Sequence, residues 1–113
     1  MVFVETTVFT KRIVELGADA QLRQLQDELL GNPELGNVIS GLDGLRKVRM
    51  QLPGHGKRGA GRVLYLMFPH VQKCVFLLLY TKNEFTDLSP QMKRAMRPII
   101  AQIRKEFEHE KTM

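Results

Sequence analysis

The chain has 113 residues, 43% hydrophobic and 26% charged, a balance that suits one globular domain and excludes a disordered polypeptide. Seventeen Lys and Arg against twelve Asp and Glu give a formal net charge of +5, which points to nucleic acid, an anionic surface or an acidic protein partner without choosing among them. The single Cys74 excludes disulfide scaffolds and cysteine-based zinc sites, and with no signal peptide at the start and no apolar run longer than 75–80, a soluble cytosolic protein is the expectation.

Residues 1–9 (MVFVETTVF) are rich in β-branched and aromatic side chains and predict a strand. Thr10 is placed to cap a short helix that carries Ile13, Val14 and Leu16 inward, with Gly17 as its left-handed stop. Asp19 then caps a second helix. Its Leu22, Leu25, Leu29 and Leu30 recur at three- and four-residue spacing, and Gly31 with Asn32-Pro33 ends it. Residues 32–44 read as a loop punctuated by Gly36, Gly41 and Gly44, yet Val38, Ile39 and Leu42 are apolar enough to lie across the core.

The next stretch, 45–68, holds Arg46, Lys47, Arg49, Lys57, Arg58 and Arg62 and no acidic residue. Two runs of strand character, 46–52 and 62–68, flank a loop containing Gly54, Gly56, Gly59 and Gly61. Period-two alternation sends Lys47 and Arg49 to one face and Val48, Met50 and Leu52 to the other. Two cations side by side on one strand face repel each other. Folding gains little from that, whereas a polyanion lying across the face would relieve it.

A turn at Pro69-His70 leads to 74–81 (CVFLLLYT), which is apolar on both faces, as a central strand covered on each side should be. The short connections predict a three-stranded antiparallel meander. Tyr80 and Lys82 share a face at the rim of that sheet. Ser89 and Pro90 then start a helix that runs to about His109. Met92, Met96, Ile99, Ile103 and Phe107 form its apolar stripe, while Lys93, Arg94, Arg97, Arg104 and Lys105 line the other side, and Pro98 predicts a kink near Arg94 and Ala95. No repeat or linker divides residues 1–113, so one domain is expected.

No phosphate-binding loop, dinucleotide fingerprint, HExxH or EF-hand pattern is present, and His55, His70 and His109 lie far apart in sequence. No metal site and no cofactor are expected. What remains is chemistry carried by cations. Lys and Arg converging on one sheet face can hold a phosphodiester and stabilise the extra charge of a pentacovalent transition state. Like-charge crowding lowers a lysine's pKa, and a lysine so shifted can serve as a general base. RNA supplies its own nucleophile, the 2′-hydroxyl, so no metal would be needed.

The segments GLRKVR, GKRGAGRVLY and LYTKNEFTDLS, in this order and spacing, resemble the RelE/ParE superfamily of bacterial toxins, in particular the HigB-like branch of type II toxin–antitoxin pairs. The resemblance spans nearly the whole chain. It implies an α+β fold, an antiparallel β-sheet with two N-terminal helices and a C-terminal helix, with the helices on one face and a basic groove on the other. It further implies a metal-independent endoribonuclease that cleaves mRNA in the ribosomal A site and inhibits translation. A cognate antitoxin, often a helix-turn-helix protein from the adjacent gene, would hold it inactive, and operator DNA would be reached only through that antitoxin.

On this resemblance Lys47 and Arg49 match the RNA clamp and general base, Arg62 a transition-state phosphate ligand, and Lys82 the cation closing the last strand. Arg46, Lys57 and Arg58 would contact RNA backbone, and Tyr80 would stack on a base. Several relatives use a His or Tyr near the C-terminal end as acid or base. Here none follows Lys82 until His109, which leaves His55 and Lys57 as the candidates for the general acid. Two readings of other classes stand beside this one: a ParE-like inhibitor of DNA gyrase without nuclease activity, and a non-catalytic nucleic-acid-binding module. The low aromatic content, 7% with no Trp, weighs against a large protein-only interface.

Overall fold

The computed structural model of the chain describes residues 1–54, 60–84 and 87–108. Its first strand, β1, is only Val2–Glu5, and helix α1, Thr7–Leu16, follows at once. The strand expected over 1–9 is cut short by Thr6. Its Oγ1 accepts from the Phe9 amide (3.1 Å), capping α1, while its hydroxyl donates to the Leu77 carbonyl (2.7 Å). A threonine that bonds the backbone locally favours a cap over a strand. Thr10, expected as the cap, instead donates to Glu5 Oε1 (2.8 Å). Gly17 does end α1, at a φ of 60°.

Helix α2 is Asp19–Gly31. Ala18 occupies its N-cap without a side-chain bond, so Asp19 lies one position inside the helix, where its charge suits the first turn. After it, the supposed loop contains a two-residue strand, β2 (Asn37–Val38). Strands β3 (Arg46–Met50), β4 (Gly61–Phe68) and β5 (Lys73–Thr81) follow, a 3-10 turn over Pro69–Val71 joining the last two. Helix α3, Pro90–Glu108, closes the described chain. It starts as expected, with Ser89 Oγ accepting from the Met92 amide (3.1 Å) and Pro90 at the first position. It continues through Pro98 as one helix.

The chain is α+β, with a five-stranded sheet in the order β1-β5-β4-β3-β2 among the described residues. The β3–β4–β5 meander is antiparallel, as is the β2–β3 pair. The sheet as a whole is mixed, because β1 runs parallel to β5. That pairing corrects the all-antiparallel expectation, and it is permitted because the rest of the sheet and two helices supply the long crossover that parallel neighbours need.

Both faces of the sheet are covered, by different helices. Phe9, Ile13, Leu22, Leu25 and Leu29 of α1 and α2 pack with Val48, Met50, Val63, Tyr65, Cys74 and Phe76 on one side. On the other, α3 lays Ile100, Met92, Met96, Ile103 and Phe107 against Leu64, Leu66, Phe68, Val75 and Leu77, with Leu42 and Leu45 beside them. The expected arrangement, all helices on one face opposite a basic groove, is therefore corrected. A strand as apolar as β5 needs cover on both sides, and α3 supplies the second layer. Ile100 is the buried member of the α3 stripe, whereas Ile99 lies at its margin and is exposed. Cys74 is buried, and that burial pushes its thiol up to about 12.

Candidate nucleic-acid interface

Strand register brings the predicted cations together. Arg49 lies opposite Arg62, Arg62 opposite Tyr80, and Lys47 opposite Leu64. Residues opposite one another point to the same face. Leu64 and Tyr80 belong to the core on the α3 side, so Lys47, Arg49 and Arg62 belong to that side too. Helix α3 carries Phe107 onto Phe68, at the far end of β4 (ring centroids 5.3 Å). The cations lie toward its other end, where Asp87, just before α3, meets Lys47.

A bulge in β5 completes the grouping. Leu64 pairs with Leu78 but Tyr65 pairs with Phe76, so Leu77 is an extra residue. Leu77 and Leu78 consequently both face α3. Strict alternation from Cys74, which faces α1 and α2, would have sent Tyr80 to that side as well. The extra residue puts it beside Arg62.

The individual environments differ. Lys47 is half-exposed, its ammonium 3.8 Å from the Asp87 carboxylate. Asp87, in the segment that leads into α3, was not among the expected site residues, yet it is the carboxylate that meets this face; its side chain is 80% exposed. Arg49 is exposed and meets no carboxylate among the described residues. Arg62 is half-buried and donates to the Ala60 carbonyl (2.9 Å), which fixes its direction at the start of β4. Tyr80 is buried, at 1% exposure, so its ring presents no face on which a base could stack; that expected role is corrected. Burial first, and then the Asp87 charge, raise its phenol above the ordinary value against the opposing pull of Arg62.

Arg46 does not join the group. It lies opposite Tyr65, on the α1–α2 side, and donates to the Gly36 carbonyl (2.7 Å). Tyr65 completes that knot, its hydroxyl accepting from the Gly36 amide (2.9 Å) and donating to the Pro33 carbonyl (3.0 Å). Gly36 must be glycine, because a Cβ there would sit 2.8 Å from the Lys47 carbonyl oxygen. Arg46 thus holds the segment before β2 in place and is not a backbone contact on the cationic face.

Lys82 is exposed in the turn after β5. That turn is held by Glu84, whose Oε1 accepts from the Thr81 amide (2.9 Å) and hydroxyl (3.1 Å) and from Arg12 of α1. Burial alone would raise the Glu84 carboxyl, but its bonds to Thr81 and Arg12 hold it below the usual range. His55, Lys57 and Arg58 lie outside the described residues, as does His109. No cluster of His, Cys, Asp and Glu able to hold a metal ion occurs among the described residues. His70 sits in the 3-10 turn against the Phe107 carbonyl (3.0 Å), at the far end of the sheet from the cations.

An apolar hollow of about 230 Å³ lies between the start of α1, β5 and α3, lined by Thr6, Val8, Leu77, Leu78, Met96 and Ile99. Its rim residues Val8 and Ile99 are exposed. No described helix is long and apolar enough to cross a membrane. No protein-family model matches the chain.

Proposed function

We propose that this protein is a metal-independent endoribonuclease toxin of the RelE/HigB kind, acting in the cytoplasm on mRNA at the ribosome. The observation that carries the reading is the register-enforced grouping of Lys47, Arg49 and Arg62 on the α3 side of the sheet. Three cations converging there, with Asp87 as the carboxylate that meets them, form a site for a phosphodiester.

In this reading the RNA 2′-hydroxyl attacks the adjacent phosphorus while the bond from phosphorus to the 5′-oxygen breaks. The products are a 2′,3′-cyclic phosphate and a 5′-hydroxyl end. Arg62 and Arg49 bear on the phosphoryl oxygens as charge accumulates there. Lys47, in its neutral amine form, takes the proton from the 2′-hydroxyl, while Arg49 also clamps the strand. Lys82 extends the clamp from the β5 exit, and the proton for the leaving 5′-oxygen is assigned to His55 or Lys57. DNA, without the 2′-hydroxyl, would bind this face and remain intact. The reading includes a neutralising antitoxin encoded beside the gene, and the apolar hollow rimmed by the exposed Val8 and Ile99 supports protein contact there.

The test is induced expression in a bacterium followed by primer extension on an abundant mRNA. Growth arrest with cuts inside the translated region is expected, and Arg62→Ala should lower cleavage by about two orders of magnitude with its fold intact, as loss of a transition-state ligand does. Arrest with intact mRNA would replace the nuclease by a gyrase-type or other protein target. Healthy growth with ample folded protein would leave only a binding module.

A further inference from the structure

Residues 88–105 contain five Lys and Arg and no carboxylate. Within them, Lys93 and Arg97 are one helical turn apart, about 6 Å along the axis. Arg97 Nε donates to the Gly41 carbonyl (3.4 Å) and Arg104 Nε to that of Asp43 (2.8 Å), so this flank of α3 borders the 41–43 segment that leads into β3. Helix α3 begins just after Asp87, the residue that meets Lys47 of β3. The cations of the sheet and those of the helix thus lie to either side of one junction, at Asp87. Arg104, farther along, is paired with Asp43 (3.1 Å) and Glu108 (2.8 Å), and the unneutralised track ends there. Lys93, Arg94 and Arg97 meet no carboxylate among the described residues.

We infer that this flank of α3, carrying Lys93, Arg94 and Arg97, is a second RNA-binding surface that grips phosphate backbone independently of sequence and lengthens the RNA footprint beyond the cationic sheet face. It rests on the proposal that the ligand of that face is RNA. Two features favour RNA over an acidic protein. The exposed apolar residue of α3, Ile99, lies on the other flank beside the apolar hollow, so this flank lacks the anchors that protein interfaces use. The charge is also uneven: residues 1–34, which include the helix pair on the opposite sheet face, carry six carboxylates against three Lys and Arg, and residues 35–113 carry six against fourteen. A polyanion is therefore attracted to the α3 side and repelled from the other.

The experiment is anisotropy titration of a labelled single-stranded RNA across a series of salt concentrations. The parent is compared with a Lys93→Gln/Arg94→Gln double variant and a Lys11→Gln control on α1. Arg97 is left in place because it touches the Gly41 carbonyl. Loss of two backbone contacts should lower the slope of log affinity against log salt by about 1.4, at roughly 0.7 per contact on a single strand. The control should keep the parental slope, and thermal melting should show all three proteins folded. A parental slope in the folded double variant, or an equal loss per charge in the control, overturns the inference. RNA binding with the predicted loss but no cleavage by the parent would sustain the inference and remove the nuclease reading. A parent that binds no RNA overturns both.

Discussion

Asp87→Asn isolates the charge that opposes RNA on the cationic face. The change is nearly isosteric, and the side-chain oxygen can still accept from the Leu88 amide (2.8 Å), so the segment before α3 keeps its local bond. What disappears is the carboxylate 3.8 Å from the Lys47 ammonium. At that separation two unit charges interact by about 1 kcal/mol in water, and by about 4 kcal/mol at an effective dielectric of 20. Because the Asp87 side chain is 80% exposed, the aqueous value governs, and exposed pairs of this kind contribute roughly 0–1 kcal/mol to stability. Loss of the pair should shift the melting temperature little. A phosphate that binds Lys47, however, no longer competes with Asp87 or lies beside its charge. Affinity for a single-stranded RNA should rise about three- to fivefold at low salt, in line with a gain of up to about 1 kcal/mol. The gain should shrink as salt is raised, since screening weakens the removed repulsion. Anisotropy titrations at about 50 and about 200 mM salt, a range over which such binding is salt-sensitive, make the comparison. Unchanged or weaker binding at the lower salt would refute the idea that RNA phosphate occupies the Lys47 end of the face.

Glu84→Gln should flatten the loss of stability in acid. Its folded-state pKa lies below the ordinary 4.5, so its stabilisation is present in full above that value and is lost as the pH falls through the folded pKa. Urea midpoints measured as the pH is lowered from neutral should converge for parent and variant; parallel curves would show that the Thr81 and Arg12 bonds do not set this carboxyl. Tyr65→Phe removes the partner of the buried Gly36 amide and of the Pro33 carbonyl, and should cost about 1–3 kcal/mol in denaturant unfolding. A loss well under 0.5 kcal/mol, on the scale of neutral surface changes, would mean that another group takes over those bonds. Gly36→Ala should be destabilising as well, because backbone rather than a flexible side chain blocks the new methyl, and the same unfolding measurement checks it.

The meander, the helix pair and the Ser89–Pro90 start of α3 were legible because each rests on local chemistry: alternation, leucine spacing and capping. The grouping of Lys47, Arg49 and Arg62 was legible for the same reason, since two strands with clear alternation fix which side chains share a face. Other features were hidden by degeneracy. Thr6, Thr7 and Thr10 all suit either a strand or a cap, and only the Leu77 carbonyl, 71 residues away, decides for Thr6. Arg46 reads like its cationic neighbours until the Gly36 carbonyl claims it. Ile99 and Ile100 are adjacent and chemically alike, so the spacing alone could not say which one faces the sheet. The side taken by α3 depends on a core built jointly from β4, β5 and the segment around Leu42 and Leu45, and Asp87 gained its significance from that docking.

The bulge in β5 gives the leucine run a counting function. Leu77, Leu78 and Leu79 are identical in hydropathy, and any two of them would make an equally apolar strand. With one leucine fewer and no bulge the tyrosine would keep its side, but the same three leucines paired in strict alternation would deliver the Tyr80 position to the face of α1 and α2. Such a register would leave composition and charge unchanged. It would nevertheless separate Arg62 from Tyr80 and carry the β5 exit away from the cationic face. The bulge that absorbs the extra leucine, more than the character of the leucines, keeps the two halves of this face in phase.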